Sequence, residues 1–283
     1  MNYKELKEES KKLENKYKLT HYELLQRFMF ERILERISLS KYNSNFILKG
    51  GLLLSAIFGI NNRTTQDMDT TIRGINVSKE DMVKVLNEIL AIDLKDGVKF
   101  DLVDITDIRE DDEYGGNKYH LIGHLENLSV RLEIDISTGD QVTPKELKYD
   151  YPMLFENKKI HIYSYNIETI LAEKIETILR RGIYNSRMKD YYDVHIFLSK
   201  LKDKININNL KLAVTNTFTK RDSFEFLRDY QQILNEIYDY ERIEQLWKIY
   251  AEKNNYASGI EFKIIVSELD NFISKTDLIK LAK

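Results

Sequence analysis

Apolar positions along the chain change their period once, near residue 165. Before that point helical and strand-like spacings mix. After it the spacing stays helical to the end. Residues 3–38 predict two helices, because Leu24, Leu25, Phe28, Ile33, Leu34 and Ile37 recur at three- and four-residue intervals and Thr20 is placed to cap the second. Phe46-Ile47-Leu48 is a short apolar lead-in to Gly50-Gly51, and residues 52–60 predict a buried helix with its N-terminus at the glycines. Residues 67–73 read as a strand, followed by a helix capped by Ser78 and running to about Leu90. Strand-like runs then cover 99–108, around Phe100, Leu102, Val103 and Ile105, and 119–125. The cleanest alternation is 128–136, with Leu128, Val130, Leu132, Ile134 and Ile136 on one face and Ser129, Arg131, Glu133 and Asp135 on the other. The acidic, glycine-containing stretch 111–117 reads as a hairpin loop, and 160–163 as a last strand.

From Ile167 onward, helices are expected over 168–181 and 189–200. Leu210, Val214, Phe218, Phe224, Phe226, Leu227, Tyr230 and Ile233 mark further ones, and 262–274 closes the chain. No Pro/Gly/Ser-rich linker separates the halves, so the expected division is 1–165 and 166–283, at a change of period and not at a flexible hinge. The fold class expected is α+β, a mixed sheet with flanking helices plus an all-helical C-terminal lobe.

Composition narrows the function. At 283 residues, 42% hydrophobic and 31% charged, the chain is long and apolar enough for a sizeable core. A formal net charge of -3 excludes a generally basic nucleic-acid coat, though not a local basic patch. With no cysteine there is no disulfide framework, thiolate metal site or cysteine nucleophile. The N-terminus is charged and lacks an apolar signal region, and no run of about 18 apolar residues occurs, so a cytoplasmic location without membrane contact is expected. Motifs for a P-loop, a Rossmann dinucleotide site and a serine hydrolase are all absent.

What remains is a constellation. Gly50-Gly51 allows close backbone approach to a phosphate, at a helix N-terminus that favours anions. Asp67 and Asp69 are two apart on a strand and share a face. Two such carboxylates repel unless a cation such as Mg²⁺ lies between them and a substrate's phosphates. Asp135, on the polar face of 128–136, would be the third carboxylate of a metal-dependent phosphoryl site if that strand pairs beside the D-x-D strand. Further along, Lys174 is followed by Asp190 and Asp193, three apart on one helical face, with Arg180, Arg181, Arg187 and Lys189 around the intervening turn. That group reads equally as a phosphate-binding cluster or as a salt-bridged helix hairpin. Arg63 and Arg73 flank the D-x-D strand, and the surface reading is favoured for Arg73. The five histidines have no ligand spacing and read as structural.

These motifs, in this order, resemble the AbiEii/AbiGii toxin family. They are Leu-Gln-Arg-Phe at 25–28, Phe-Ile-Leu-Lys-Gly-Gly at 46–51, Arg-Thr-Thr-Gln-Asp-Met-Asp at 63–69, Glu-Ile-Asp-Ile at 133–136, Glu-Lys at 173–174 and Arg-Met-Lys-Asp-Tyr-Tyr-Asp at 187–193. The resemblance implies a DNA-polymerase-β-like nucleotidyltransferase core, use of NTP and Mg²⁺, a cognate AbiEi-like antitoxin encoded nearby, and a role in abortive phage infection. It is similar to the MenT group, which implies a tRNA 3′ end as the RNA acceptor. Carried over by position, the catalytic set is Asp67, Asp69, Asp135, Lys174 and Asp190, with Asp67, Asp69 and Asp135 on the metal. The nucleotide-binding set is Lys49, Gly50, Gly51, Arg63, Thr65, Lys174, Arg187 and Asp193. The wider superfamily has Gly-Ser where this chain has Gly50-Gly51, so backbone N–H groups stand in for a hydroxyl. Two other readings fit the same residues: an NTP-binding module without transfer activity, or a nucleotidyltransferase acting on a protein or small molecule.

Overall fold

A computed structural model describes residues 1–75, 78–108 and 115–282. The chain forms two compact units. One comprises Met1–Asp140 with Glu146–Ser164, the other Gln141–Lys145 with Tyr165–Lys283.

The first unit is built on seven strands: β1 (Phe46–Lys49), β2 (Asp67–Ile72), β3 (Val98–Asp107), β4 (Gly116–Leu125), β5 (Leu128–Thr138), β6 (Leu147–Pro152) and β7 (Lys159–Ser164). Their order across the sheet is β3-β4-β5-β2-β1-β7-β6. The pairs β2–β5 and β1–β7 are parallel and the others antiparallel, so the sheet is mixed, as expected. Helices α1 (Tyr3–Tyr17), α2 (His21–Leu39), α3 (Gly50–Phe58) and α4 (Lys79–Leu90) belong to this unit. Thr20 caps α2 in a reciprocal capping box with Glu23, and Ser78 caps α4.

Three features depart from the pattern reading. β6 was not expected: it is an edge strand with most residues exposed, so it shows no apolar alternation. The register of β3 against β4 shifts between Leu102 and Asp104, a bulge that turns Val103 out to 60% exposure and breaks the expected run of apolar positions. Helix α2 is buried on every side from Leu24 to Ile37, charged residues included. It tolerates this because the charges are paired. Arg36 forms a forked contact to Asp96 at 3.0 Å on both oxygens, Arg32 meets Glu156 at 2.9 Å, and Arg27 donates to Glu31 at 3.3 Å. Part of the loop expected over 111–117 lies outside the described residues.

The second unit carries α5 (Ile167–Arg181), α6 (Met188–Lys200), α7 (Ile207–Lys220), α8 (Phe224–Arg228), α9 (Tyr230–Asp239), α10 (Glu241–Lys253) and α11 (Phe262–Lys275). Asn166 caps α5 through Thr169 N–H, and its amide donates to the carbonyls of Thr143 and Lys145, which ties that short segment to the helices. The α6–α10–α11 core is aromatic, with Tyr191 edge-on to Phe262 at 5.1 Å and Trp247 donating to the Ile260 carbonyl at 2.8 Å. Among the described residues no helix is long and apolar enough to cross a membrane.

Candidate active site

Strand β2 sits between β1 and β5, and its alternation decides what faces where. Met68 is fully buried, so Asp67 and Asp69 project to the opposite face. The parallel register pairs Asp67 with Glu133 and Asp69 with Asp135. The strand carrying LSVRLEIDI therefore lies beside the D-x-D strand, and its apolar positions Val130, Leu132, Ile134 and Ile136 are buried. Burial raises the Asp135 carboxyl above its ordinary pKa, as do the negative charges of Asp69 and Asp67, while Lys118 pulls it back.

Helix α3 begins at the glycines themselves, two residues earlier than the pattern predicts. Gly50 has φ +65°, and a Cβ there would stand 1.9 Å from Asp69 Oδ2. A Cβ on Gly51 would stand 2.6 Å from the Thr65 side chain. The space opened by the glycine pair is thus taken by two neighbouring side chains, and Gly51 N–H donates to Asp69 Oδ2 at 3.3 Å. Thr65 holds the start of β2, its hydroxyl accepting from Asp67 N–H at 3.3 Å. Lys49 extends to Asp140 at 2.5 Å, which also accepts from Ser137. Arg63 is buried and donates to the Thr64 carbonyl. Arg73 lies at the surface in an ion pair with Glu146.

In the helical unit, Lys174 on α5 places its ammonium 2.7 Å from Asp190 and 2.8 Å from Asp193, both buried on α6. Arg187 Nε reaches the other oxygen of Asp190 at 3.1 Å. Burial works against the Lys174 charge, but the two carboxylates outweigh it and hold the pKa above the ordinary lysine value. Burial likewise opposes ionisation of Asp190, and Lys174 and Arg187 outweigh it, so its carboxyl sits below the usual range. In the same unit Glu176 draws in Arg180 and Arg221.

The donor set around Asp69 is all oxygen and suits a hard divalent cation. The glycine cradle that a Cβ would fill, with Asp69 seated in it beside Asp135, fits that use. Among the described residues no three His, Asp or Glu side chains are already gathered as a metal cage. Two partners escaped the pattern reading. Lys118 on β4 lies 3.0 Å from Asp135 and 2.9 Å from Glu133, and Asp140 holds Lys49. Neither carries a motif; Lys118 is found only through the β4–β5 register. The histidines contact carboxylates and hydroxyls, such as His195 with Glu268 at 2.6 Å.

Comparison with known proteins bears on the fold and the family. A solved structure from H. pylori, provisionally described as a nucleotidyltransferase, superposes with a TM-score of 0.53 at 16% identity, covering 93% of this chain and 99% of that one. JHP933 from Helicobacter pylori superposes with a TM-score of 0.52 at 14% identity, covering 93% of each chain. At these identities the likeness speaks for the fold alone. Comparison with curated proteins finds no match. The model of the nucleotidyl transferase AbiEii toxin family, of type IV toxin–antitoxin systems, matches residues 32–263. That span takes in the glycine pair, Asp67, Asp69 and Asp135, and the Lys174 cluster, and the chain belongs to this family of nucleotidyltransferase toxins.

Proposed function

We propose that the chain transfers a nucleoside monophosphate from an NTP to an RNA hydroxyl, that of a tRNA 3′ end, and thereby arrests growth. The observation that carries this reading is the parallel register setting Asp69 beside Asp135, with the α3 glycines against Asp69. Asp67, Asp69 and Asp135 would hold Mg²⁺, which supplies charge neutralisation for the triphosphate. Gly51 N–H holds Asp69, and the other backbone N–H groups of the first α3 turn favour phosphate oxygens. Asp135, set beside Asp69 by the strand register, would accept the proton of the acceptor hydroxyl. The hydroxyl oxygen bonds to the α-phosphorus as the bond to the β-phosphate oxygen breaks, and pyrophosphate leaves. In the helical unit, Lys174 and Arg187 are the cations proposed to meet phosphate, oriented by Asp190 and Asp193. Lys49, Arg63 and Thr65 are proposed to keep the first α3 turn and the start of β2 in place for the nucleotide. A type IV toxin family implies an antitoxin partner, here proposed to be AbiEi-like, and the setting is phage defence in the cytoplasm.

The test is incubation with each α-labelled NTP, Mg²⁺ and total cellular RNA. Label is expected in the tRNA band for at least one NTP, and Asp69→Asn is expected to lose it by about 100-fold or more at unchanged melting temperature. Label confined to protein or to a small molecule would move the acceptor class. Nucleotide bound by the wild type yet never incorporated anywhere would overturn the reading.

A further inference from the structure

The polar face of the sheet carries more than the three aspartates. The register that sets Asp135 beside Asp69 also sets Glu133 beside Asp67, so four carboxylates occupy neighbouring positions of β2 and β5. On the other flank of β5, Lys118 stands opposite Asp135 and His120 opposite Glu133. Lys118 uses this position fully. Its ammonium lies 3.0 Å from Asp135 Oδ1 and donates to Glu133 Oε2 at 2.9 Å. It thus divides one charge between a carboxylate proposed to serve the metal and one outside that set. Asp135 is the more enclosed partner, its side chain 23% exposed against 45% for Glu133.

We propose that Lys118 is a positioning residue that competes with the divalent cation for Asp135, so that Asp135 joins the ion only when an NTP brings its own negative charge. The proposal rests on the reading of Asp135 as an ion ligand given above. Its physical basis is direct. An ammonium and a divalent ion sharing one carboxylate lie only about 5 Å apart, where like charges repel strongly even at the effective dielectric of a protein surface. Ion entry at Asp135 therefore requires the ammonium to withdraw or an added anion to balance it. Glu133 gives Lys118 a second partner, so it can let Asp135 go while staying paired. A triphosphate supplies the balancing charge. Without NTP, Lys118 keeps the carboxylate neutralised and correctly placed, and the protein discriminates against metal that arrives alone.

The experiment is a Mn²⁺ titration of the full chain without nucleotide, read by electron paramagnetic resonance, for the wild type, Lys118→Met, Lys118→Gln and Lys118→Arg. Removing the ammonium in Lys118→Met and Lys118→Gln is expected to tighten Mn²⁺ binding about tenfold or more. Lys118→Arg keeps the charge and is expected to stay within about threefold of the wild type. Adding Asp135→Asn to Lys118→Met is expected to erase the gain. The pair is partly exposed, so the two neutral variants are expected to melt close to the wild type. Equal or weaker Mn²⁺ binding in both neutral variants would overturn the proposal, as would a gain that survives Asp135→Asn. Wild-type Mn²⁺ binding in the presence of a non-hydrolysable NTP keeps the two readings apart. If it is present and no gain follows loss of Lys118, the competition alone fails. If no variant binds Mn²⁺ with or without the nucleotide, the metal-site reading fails and this proposal with it.

Discussion

Lys174→Met tests how the buried charges of the helical unit are balanced. Methionine keeps most of the stem and removes the ammonium that lies 2.7 Å from Asp190 and 2.8 Å from Asp193. Asp190 retains Arg187 at 3.1 Å, while Asp193, whose side chain is fully buried, gives up its 2.8 Å contact. Removing one partner of a buried ion pair costs about 3–5 kcal/mol. The lower end applies because Arg187 remains, and at roughly 2–4 °C per kcal/mol a loss of about 3 kcal/mol lowers the melting temperature by about 6–12 °C. The pH dependence follows from the signs. Asp190 has a depressed pKa, so its contribution is present above the unfolded value of about 3.9 and is lost as pH falls through the folded value. Lys174 has a raised pKa, so its contribution is present below the unfolded value of about 10.4 and is lost as pH rises through the folded one. Both are therefore in force at pH 8. In the variant Asp190 loses the Lys174 share of that depression, so the deficit is present at pH 8 and at pH 5, both above the unfolded carboxylate value, and shrinks only as pH falls below about 3.9. Calorimetric melting of both proteins at the two pH values measures it. A variant within about 2 °C of the wild type at pH 8, or a deficit seen at only one of the two pH values, would refute the reasoning.

Gly50→Ala forces a side chain into φ +65°, at about 1–2 kcal/mol, and drives its Cβ against Asp69; nucleotidyl transfer is expected to fall about 100-fold with a melting temperature a few degrees lower. Arg36→Met breaks the forked pair with Asp96 in a fully enclosed setting and is expected to cost about 3–5 kcal/mol by urea denaturation, with specific activity per folded molecule unchanged. Asp67→Ala is expected to abolish growth arrest on expression while the protein stays folded; persistent toxicity from a stably folded protein would remove Asp67 from the site.

Much of the architecture can be read from local spacing because the relevant forces are local. A capping hydroxyl at Thr20 or Ser78 bonds a backbone N–H three residues on, and alternation over 128–136 shows which side of β5 is buried before its neighbours are known. The D-x-D spacing alone puts Asp67 and Asp69 on one face, and the three-residue spacing of Asp190 and Asp193 puts both within reach of one lysine. Edge strand β6 left no such signal, since a mostly exposed strand has no apolar side to alternate. Val103 was misleading in the opposite sense, an apolar residue carried outward by a bulge that depends on the partner strand.

The amino-acid sequence by itself determined the element types, the change of period near residue 165 and the residue types that metal-dependent phosphoryl chemistry needs, because each depends on positions a few residues apart. Only the tertiary structure decided which charges meet. Asp69 acquires Asp135 through a parallel pairing 66 residues apart in sequence, Asp135 acquires Lys118 through the β4–β5 register, and Lys49 is drawn to Asp140. It also decided that the glycine pair makes room for Asp69 and Thr65, a close approach no spacing rule contains. The physical reason is that register and burial are set by the whole sheet at once. A shift of one residue would send every one of these side chains to the other face.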